Sequence, residues 1–149
     1  MSNETTEIPE MPETSPEQTI AEALPAEETF EQFGLKKDIM RAIGYAGFKI
    51  PSPIQVQAIP LVMQGRDIVA QAQTGTGKTA AFGLPTLNKI DPNGGVQALI
   101  ITPTRELANQ VRDELSKYGK QAGLSTATVY GGNAYGSKTG LLLRGERGL

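Results

Sequence analysis

Residues 72–79 combine two glycines, a lysine and threonines at a spacing that suits phosphate chemistry. Gly75 and Gly77 can adopt backbone conformations in which amide N–H groups converge on phosphate oxygens. Lys78 offers a positive charge to the β- and γ-phosphates, and Thr79 offers a hydroxyl ligand for Mg²⁺. Lys78 and Thr79 are therefore the candidate catalytic residues. The predicted triphosphate-binding residues of this loop are Ala72, Gln73, Thr74, Gly75, Thr76, Gly77, Lys78 and Thr79.

The neighbouring elements decide whether this stretch is a phosphate-binding loop. Residues 67–72 are mostly apolar and predict a short buried strand before the loop. A helix is predicted from Lys78 onward, with Pro85 as a bend. Strand, loop and helix in this order favour phosphate binding over the alternative, a Gly/Thr-rich turn with a surface lysine.

The rest of the chain alternates helical and strand patterns. The further predicted elements are a helix over 35–46, a helix capped by Ser52 and bent or shortened at Pro60, a strand over 96–102, a helix after Pro103 and a strand over 126–130. Alternation of this kind predicts an α/β fold with parallel strands and right-handed crossovers. Tyr118 and Tyr130 are assigned to packing.

Composition excludes several classes of protein. The chain has no His, Cys or Trp, which excludes Ser-His-Asp hydrolases, disulfides and thiolate zinc sites. No apolar run approaches the roughly 20 residues needed to cross a bilayer, and the N-terminus lacks the basic and apolar regions of a signal peptide. We expect a cytoplasmic protein without a membrane partner.

The charge is distributed unevenly. Residues 1–29 contain eight glutamates, four prolines and no basic residue, which predicts a disordered acidic tail. Residues 30–149 then carry eight acidic and fourteen basic residues, a net charge of +6. A basic body suits a polyanionic partner, although a charge of this size is also ordinary for a small soluble domain.

Five sequence features in order give the chain a family resemblance. They are Phe30, GFKIPSPIQ at 47–55, AQTGTGKT at 72–79, PTRELA at 103–108 and the glycine pair at 131–132. The set resembles the first part of a DEAD-box RNA helicase: the Q motif with its upstream aromatic, motif I, motif Ia and the GG element. The resemblance implies a P-loop, RecA-like parallel sheet with flanking helices, incomplete at about three strands. It divides the chain into a tail (1–29), a Q-motif segment (30–57) and a partial ATP-binding domain (58–149).

The resemblance also implies roles in ATP binding. Gln55 would recognise adenine through its amide, which offers one kind of donor and one acceptor; the alternative is a solvent-facing helix residue, as Gln57 is expected to be. Phe30 would stack on the base, and the alternative is a core aromatic. ATP and Mg²⁺ are the implied cofactors.

The implied RNA contacts are to the backbone and independent of sequence. Pro103, Thr104 and Arg105 lie where a helix is predicted to begin after a strand, which suits phosphate binding. Arg105 in a surface ion pair is the alternative. Gly131 and Gly132 allow RNA to approach the backbone closely, or they form a simple turn at a strand end.

Several parts of the family pattern do not occur in this sequence. There is no DEAD string, and Asp113-Glu114 lies on a predicted amphipathic helix and is rejected as its substitute. Two hypotheses follow: the ATP-binding portion of a helicase that clamps and unwinds short RNA duplexes, or a catalytically inactive nucleotide- or RNA-binding fragment. Without the strands that normally flank it in the family, the strand over 67–72 is expected to lack partners.

Overall fold

The computed structural model describes residues 28–130 and 140–145. Its elements are the 3-10 turn Phe30–Phe33, α1 (Lys37–Tyr45), α2 (Pro53–Met63), α3 (Lys78–Lys89), β1 (Val96–Ile100), α4 (Arg105–Gly119), the 3-10 turn Lys120–Ala122, β2 (Leu124–Val129) and β3 (Gly140–Gly145). Nearly all of the predicted tail, and both glycines at 131–132, lie outside the described residues.

The four predicted helices are confirmed. Ser52 precedes α2 and Pro53 is its first residue, where the missing proline N–H removes no helical hydrogen bond. The helix does not end at Pro60 but continues to Met63. Pro85 likewise lies inside α3, which continues to Lys89.

A single apolar cluster joins the helices and turns to the sheet. Its most deeply buried large side chains are Ile39, Ile59, Leu84, Leu87 and Leu115. Ala98 and Ile100 of β1 pack against this cluster from the sheet. Helices α3 and α4 approach closely at Gly83, where an added Cβ would collide with the Leu115 side chain. The core therefore fixes α3, which begins at Lys78, against the sheet and the other helices.

The expected parallel pairing does not occur among the described strands. Their order is β1-β3-β2, and β3 is antiparallel to both of its neighbours. Only the ten residues 130–139 separate β2 from β3, whereas a parallel crossover needs a dozen or more. A connection of this length allows β3 to run antiparallel to β2. Strands β1 and β2 still run in the same direction, each antiparallel to β3.

The predicted buried strand over 67–72 is wrong. The segment forms no strand, and Val69 is fully exposed. A cavity of about 320 Å³ lies beside it, lined by Ile68 and Ala70 of the segment and by Ile100 and Thr102 from the β1 end. No described strand supplies ladder hydrogen bonds to the segment, so its apolar sequence alone does not make it a strand.

Part of the sheet surface is apolar and open. Leu99 is 60% exposed and Ile101 is 76% exposed. Exposed apolar side chains that lie close together favour association and aggregation.

We predict that the chain expressed alone unfolds over a broad temperature range and binds an apolar fluorescent dye. Replacing Leu99 and Ile101 together by Thr should lower dye fluorescence while leaving the far-UV circular dichroism unchanged. A sharp cooperative melt without dye binding would contradict this prediction.

A second prediction concerns Tyr118, whose ring lies 6.0 Å from that of Phe48. Burial, with a smaller contribution from the Glu114 carboxylate, raises the pKa of Tyr118 from 10.0 to about 12. The folded state therefore holds this proton more tightly than the unfolded state. The resulting stability is fully present below pH 10 and is lost as the pH rises toward 12, by at most about 2–3 kcal/mol.

Ultraviolet titration of tyrosinate measures this shift. We expect a late component in the wild-type chain that is missing from the Tyr118→Phe variant. A titration in which every tyrosine ionises near its ordinary pKa would contradict the burial argument.

Candidate nucleotide-binding site

The loop before α3 turns on two glycines with left-handed backbones. The φ angles are +79° at Gly75 and +84° at Gly77. Gly77 immediately precedes α3, and an added Cβ there would collide with the Gln55 side-chain amide. The conformational freedom predicted for these glycines is therefore used, and any other residue at Gly77 would be strained by its left-handed backbone and would displace the Gln55 side chain.

The start of α2 holds the last turn of the loop through two backbone carbonyls. Ser52 Oγ donates a hydrogen bond to the Thr76 carbonyl at 2.7 Å, and Gln55 Nε2 donates to the Gly77 carbonyl at 3.2 Å. In a trans peptide the C=O and the following N–H point in opposite directions. Fixing these carbonyls toward α2 therefore turns the N–H groups of Gly77 and Lys78 away from α2, toward the other side of the loop.

Lys78 closes the loop on itself. Its ammonium donates hydrogen bonds to the carbonyls of Ala72 and Gln73, and Thr76 Oγ1 also donates to the Gln73 carbonyl at 2.7 Å. To contact a phosphate, Lys78 would have to exchange at least one of these bonds. Thr79, the next residue of α3, is half-buried beside the apolar cavity.

Gln55 is a buried residue, 3% exposed, so the solvent-facing alternative is wrong. Its Oε1 accepts a hydrogen bond from the Ser52 backbone N–H at 2.9 Å, while its Nε2 donates to the loop. The amide retains one N–H and one lone pair beyond these bonds. Gln57, two residues later, is exposed as expected.

The contact of Ser52 with the loop is not predictable from the sequence alone. The sequence predicts Ser52 only as a helix cap, yet its hydroxyl reaches a residue 24 positions away. The Ser-x-x-Gln spacing at the start of a helix places both side chains on the same turn. That spacing indicates a shared site at the helix start, but it does not identify the partner.

Phe30 does not take the expected position for base stacking. The ring is 2% exposed and belongs to the apolar core. Phe33 meets it edge-on at 5.9 Å and Phe48 stacks on it at 6.1 Å. A ring buried to this degree has no open face for a base, so the alternative of a core aromatic describes it.

The start of α4 carries the second set of predicted residues. Thr104 caps the helix, its hydroxyl accepting from the Leu107 N–H at 3.2 Å. Pro103 and Arg105 are exposed on either side of it. The Arg105 guanidinium lies 5.2 Å from the centre of the Tyr130 ring. Gly131 and Gly132 lie outside the described residues, and their predicted role stays a prediction.

The described ranges contain no group of three or more acidic, histidine or cysteine side chains that could hold a metal ion. Asp113 lies on α4 and pairs with the neighbouring Arg112 at 2.7 Å. Across the same ranges, no helix has the length and apolar character needed to span a bilayer.

Comparison with known proteins gives one consistent result. The family model for the DEAD/DEAH box helicase matches residues 52–146. The chain is 55% identical over 106 residues to the DEAD-box ATP-dependent RNA helicase RhpA of Helicobacter pylori, covering 71% of the chain and 22% of the relative. It is 50% identical over 109 residues to CshA of Bacillus subtilis, covering 72% of the chain and 22% of that protein.

Solved structures agree. A DEAD box protein from Methanococcus jannaschii matches with a TM-score of 0.65 and 41% identity, over 72% of this chain and 30% of that one. Dbp5 of S. cerevisiae, bound to RNA and ADP BeF3, matches with a TM-score of 0.61 and 38% identity, over 64% of this chain and 25% of that one. These neighbours show an α/β, RecA-like architecture. The chain spans about a fifth of the length of the curated relatives cited here.

The position of Gln55 is compatible with two roles, holding the loop and recognising the base. Mutation of Gln55 distinguishes these roles. Gln55→Ala removes the hydrogen bond to Gly77, and we expect nucleoside triphosphates to bind about 5- to 30-fold more weakly, as loss of one or two hydrogen bonds implies. If Gln55 acts by holding the loop, ATP and GTP lose affinity alike. If it reads the base, ATP alone loses affinity.

Fluorescence titration with labelled ATP and GTP measures both affinities. Gln57→Ala is the matched control, since it makes the same change on the exposed face of the same helix. Equal affinities for wild type and Gln55→Ala with both nucleotides would contradict either role.

Proposed function

Because the chain belongs to the DEAD/DEAH box helicase family, we propose that its residues 52–79 bind the triphosphate of ATP. The chain is then the nucleotide-binding portion of an ATP-dependent RNA helicase that clamps and unwinds short RNA duplexes. Its cytoplasmic location belongs to the same proposal.

The orientation of the loop amides carries this proposal. Ser52 and Gln55 hold two consecutive carbonyls of the loop on one side, which leaves the amides of Gly77 and Lys78 on the other. No side chain caps the first turn of α3, so the positive end of a 12-residue helix adds to the same surface. Backbone donors together with a helix N-terminus form a binding site for phosphate.

Lys78 and Thr79 complete the proposed donor set. The Lys78 ammonium would leave the Ala72 or Gln73 carbonyl for the β- and γ-phosphate oxygens. The Thr79 hydroxyl would hold Mg²⁺, which neutralises phosphate charge when bound. Gln55, with its remaining N–H and lone pair, would meet the adenine edge while still holding Gly77.

RNA is the proposed second ligand, at the start of α4. Arg105 is exposed there beside Thr104, and a helix start after a strand end suits phosphate contacts. The net charge of +6 over residues 30–149 fits binding through the RNA backbone. The Dbp5 neighbour, bound to RNA and ADP BeF3, supports both proposed ligands.

A second candidate function is a nucleotide- or RNA-binding module without catalysis. It is favoured by the lack, across residues 28–130 and 140–145, of an acidic cluster that could hold a metal ion. In that case the chain binds nucleotide or RNA but does not hydrolyse ATP.

Titration with a fluorescent ATP analogue in the presence of Mg²⁺ tests the binding proposal. Lys78→Ala should weaken binding roughly 10- to 100-fold, because a charge-assisted hydrogen bond contributes about 1.5–3 kcal/mol. Lys37→Ala removes an equal charge from an exposed position on α1 and should leave the affinity unchanged. No binding by the wild-type chain would contradict the proposal.

Phosphate release distinguishes the two candidate functions. We expect background ATP hydrolysis by the chain, with or without RNA. RNA-stimulated hydrolysis that Lys78→Ala abolishes would establish catalysis and reject the inactive module.

A further inference from the structure

The proposed RNA surface lies where two strands of the same direction end. Helix α4 begins five residues after the last residue of β1, and Tyr130 directly follows β2. Since β1 and β2 are both antiparallel to β3, their carboxyl ends meet at the same edge of the sheet. The start of α4 and the end of β2 are therefore neighbours.

Two side-chain contacts tie these neighbours together. The Arg105 guanidinium lies over the Tyr130 ring at 5.2 Å, and Thr128 Oγ1 lies 3.4 Å from Asn109 Oδ1. Arg105 and Asn109 are four residues apart, which places them on one face of α4. Thr128 and Tyr130 are two residues apart, which places them on one face of an extended chain. The two contacts therefore follow one another along the boundary between α4 and the end of β2.

We propose that Tyr130 is a positioning residue for RNA binding, acting through Arg105, with Thr128 as its support. The inference rests on the proposed RNA-binding function and adds to it a residue that sequence analysis assigned to packing. Tyr130 itself need not touch RNA.

The chemistry of the pair explains the role. A guanidinium is attracted to the face of an aromatic ring, an interaction that uses no N–H group. The planar N–H donors point outward from the edge of the guanidinium, in the geometry that matches a phosphate. A long side chain at an exposed helix start otherwise loses conformational freedom when it binds. Holding it against a ring beforehand reduces that cost.

The size of the effect follows from the interaction. An exposed cation–π pair contributes about 0.5–1 kcal/mol, equivalent to a 2- to 5-fold change in affinity. We expect Tyr130→Leu to weaken RNA binding by this factor. Tyr130→Phe keeps the ring and should bind like the wild-type chain.

A double-mutant cycle with the whole chain tests the inference. Fluorescently labelled single-stranded oligouridylate is titrated with the wild-type chain, Tyr130→Leu, Tyr130→Phe, Arg105→Ala and the double variant Arg105→Ala/Tyr130→Leu. If Tyr130 acts through Arg105, the double variant binds like Arg105→Ala alone. Arg105→Ala should also reduce the salt dependence of binding by about one phosphate contact. Arg41→Ala, an exposed arginine on α1, is the control for loss of charge.

The outcomes are distinguishable. Additive losses, or a Tyr130→Phe variant as weak as Tyr130→Leu, overturn the positioning role while RNA binding by the wild-type chain stands. No RNA binding by the wild-type chain overturns the proposed function and this inference together. If Tyr130→Leu loses helical circular dichroism, Thr128→Val replaces it, with a smaller loss expected that is again absent in the Arg105→Ala background.

Discussion

The two hydrogen bonds from the start of α2 to the loop are the interactions on which the candidate nucleotide site depends. Ser52 and Gln55 each hold one carbonyl, at Thr76 and at Gly77. A peptide group is rigid, so the position of its carbonyl also decides where its N–H points. The side chains of one helix thereby orient the backbone donors that precede the next.

Further contacts extend this constraint to the ends of the helices. Lys89, the last residue of α3, donates to the Val62 carbonyl near the end of α2 at 2.6 Å. Asn88 accepts from the backbone N–H of Lys36, just before α1, at 2.6 Å. Helix α3 is thus held to α2 at both ends and to α1 at one. The loop before α3 is therefore attached to a helix that is held in place by its buried face in the core.

The patterns that sequence predicted well are those decided within one turn or one helix. The start of α2 followed from Ser52 and Pro53, and the start of α3 from the residues after Gly77. The predictions that failed depend on which other residues pack or pair with the predicted one. The segment over 67–72 has the composition of a strand but no described partner, and Phe30 has the position of a base-stacking residue but is covered by Phe33 and Phe48. Whether a segment forms a strand, and whether a side chain is exposed, depends on the residues that pair or pack with it. Local composition does not specify those residues.

Local patterns are enough to predict the four helices, the conformational freedom at Gly75 and Gly77, and the order of motifs that resembles the family. Backbone geometry and helical periodicity are local, so a few adjacent residues suffice to specify them. Three contacts are visible only in the folded chain: Gln55 is buried against the loop, Lys78 bonds to the carbonyls of its own loop, and Tyr130 lies against Arg105. Two of these contacts join residues from different elements, and the third directs a flexible side chain to one of several possible partners. In each case the partner is fixed by the packing of the folded chain.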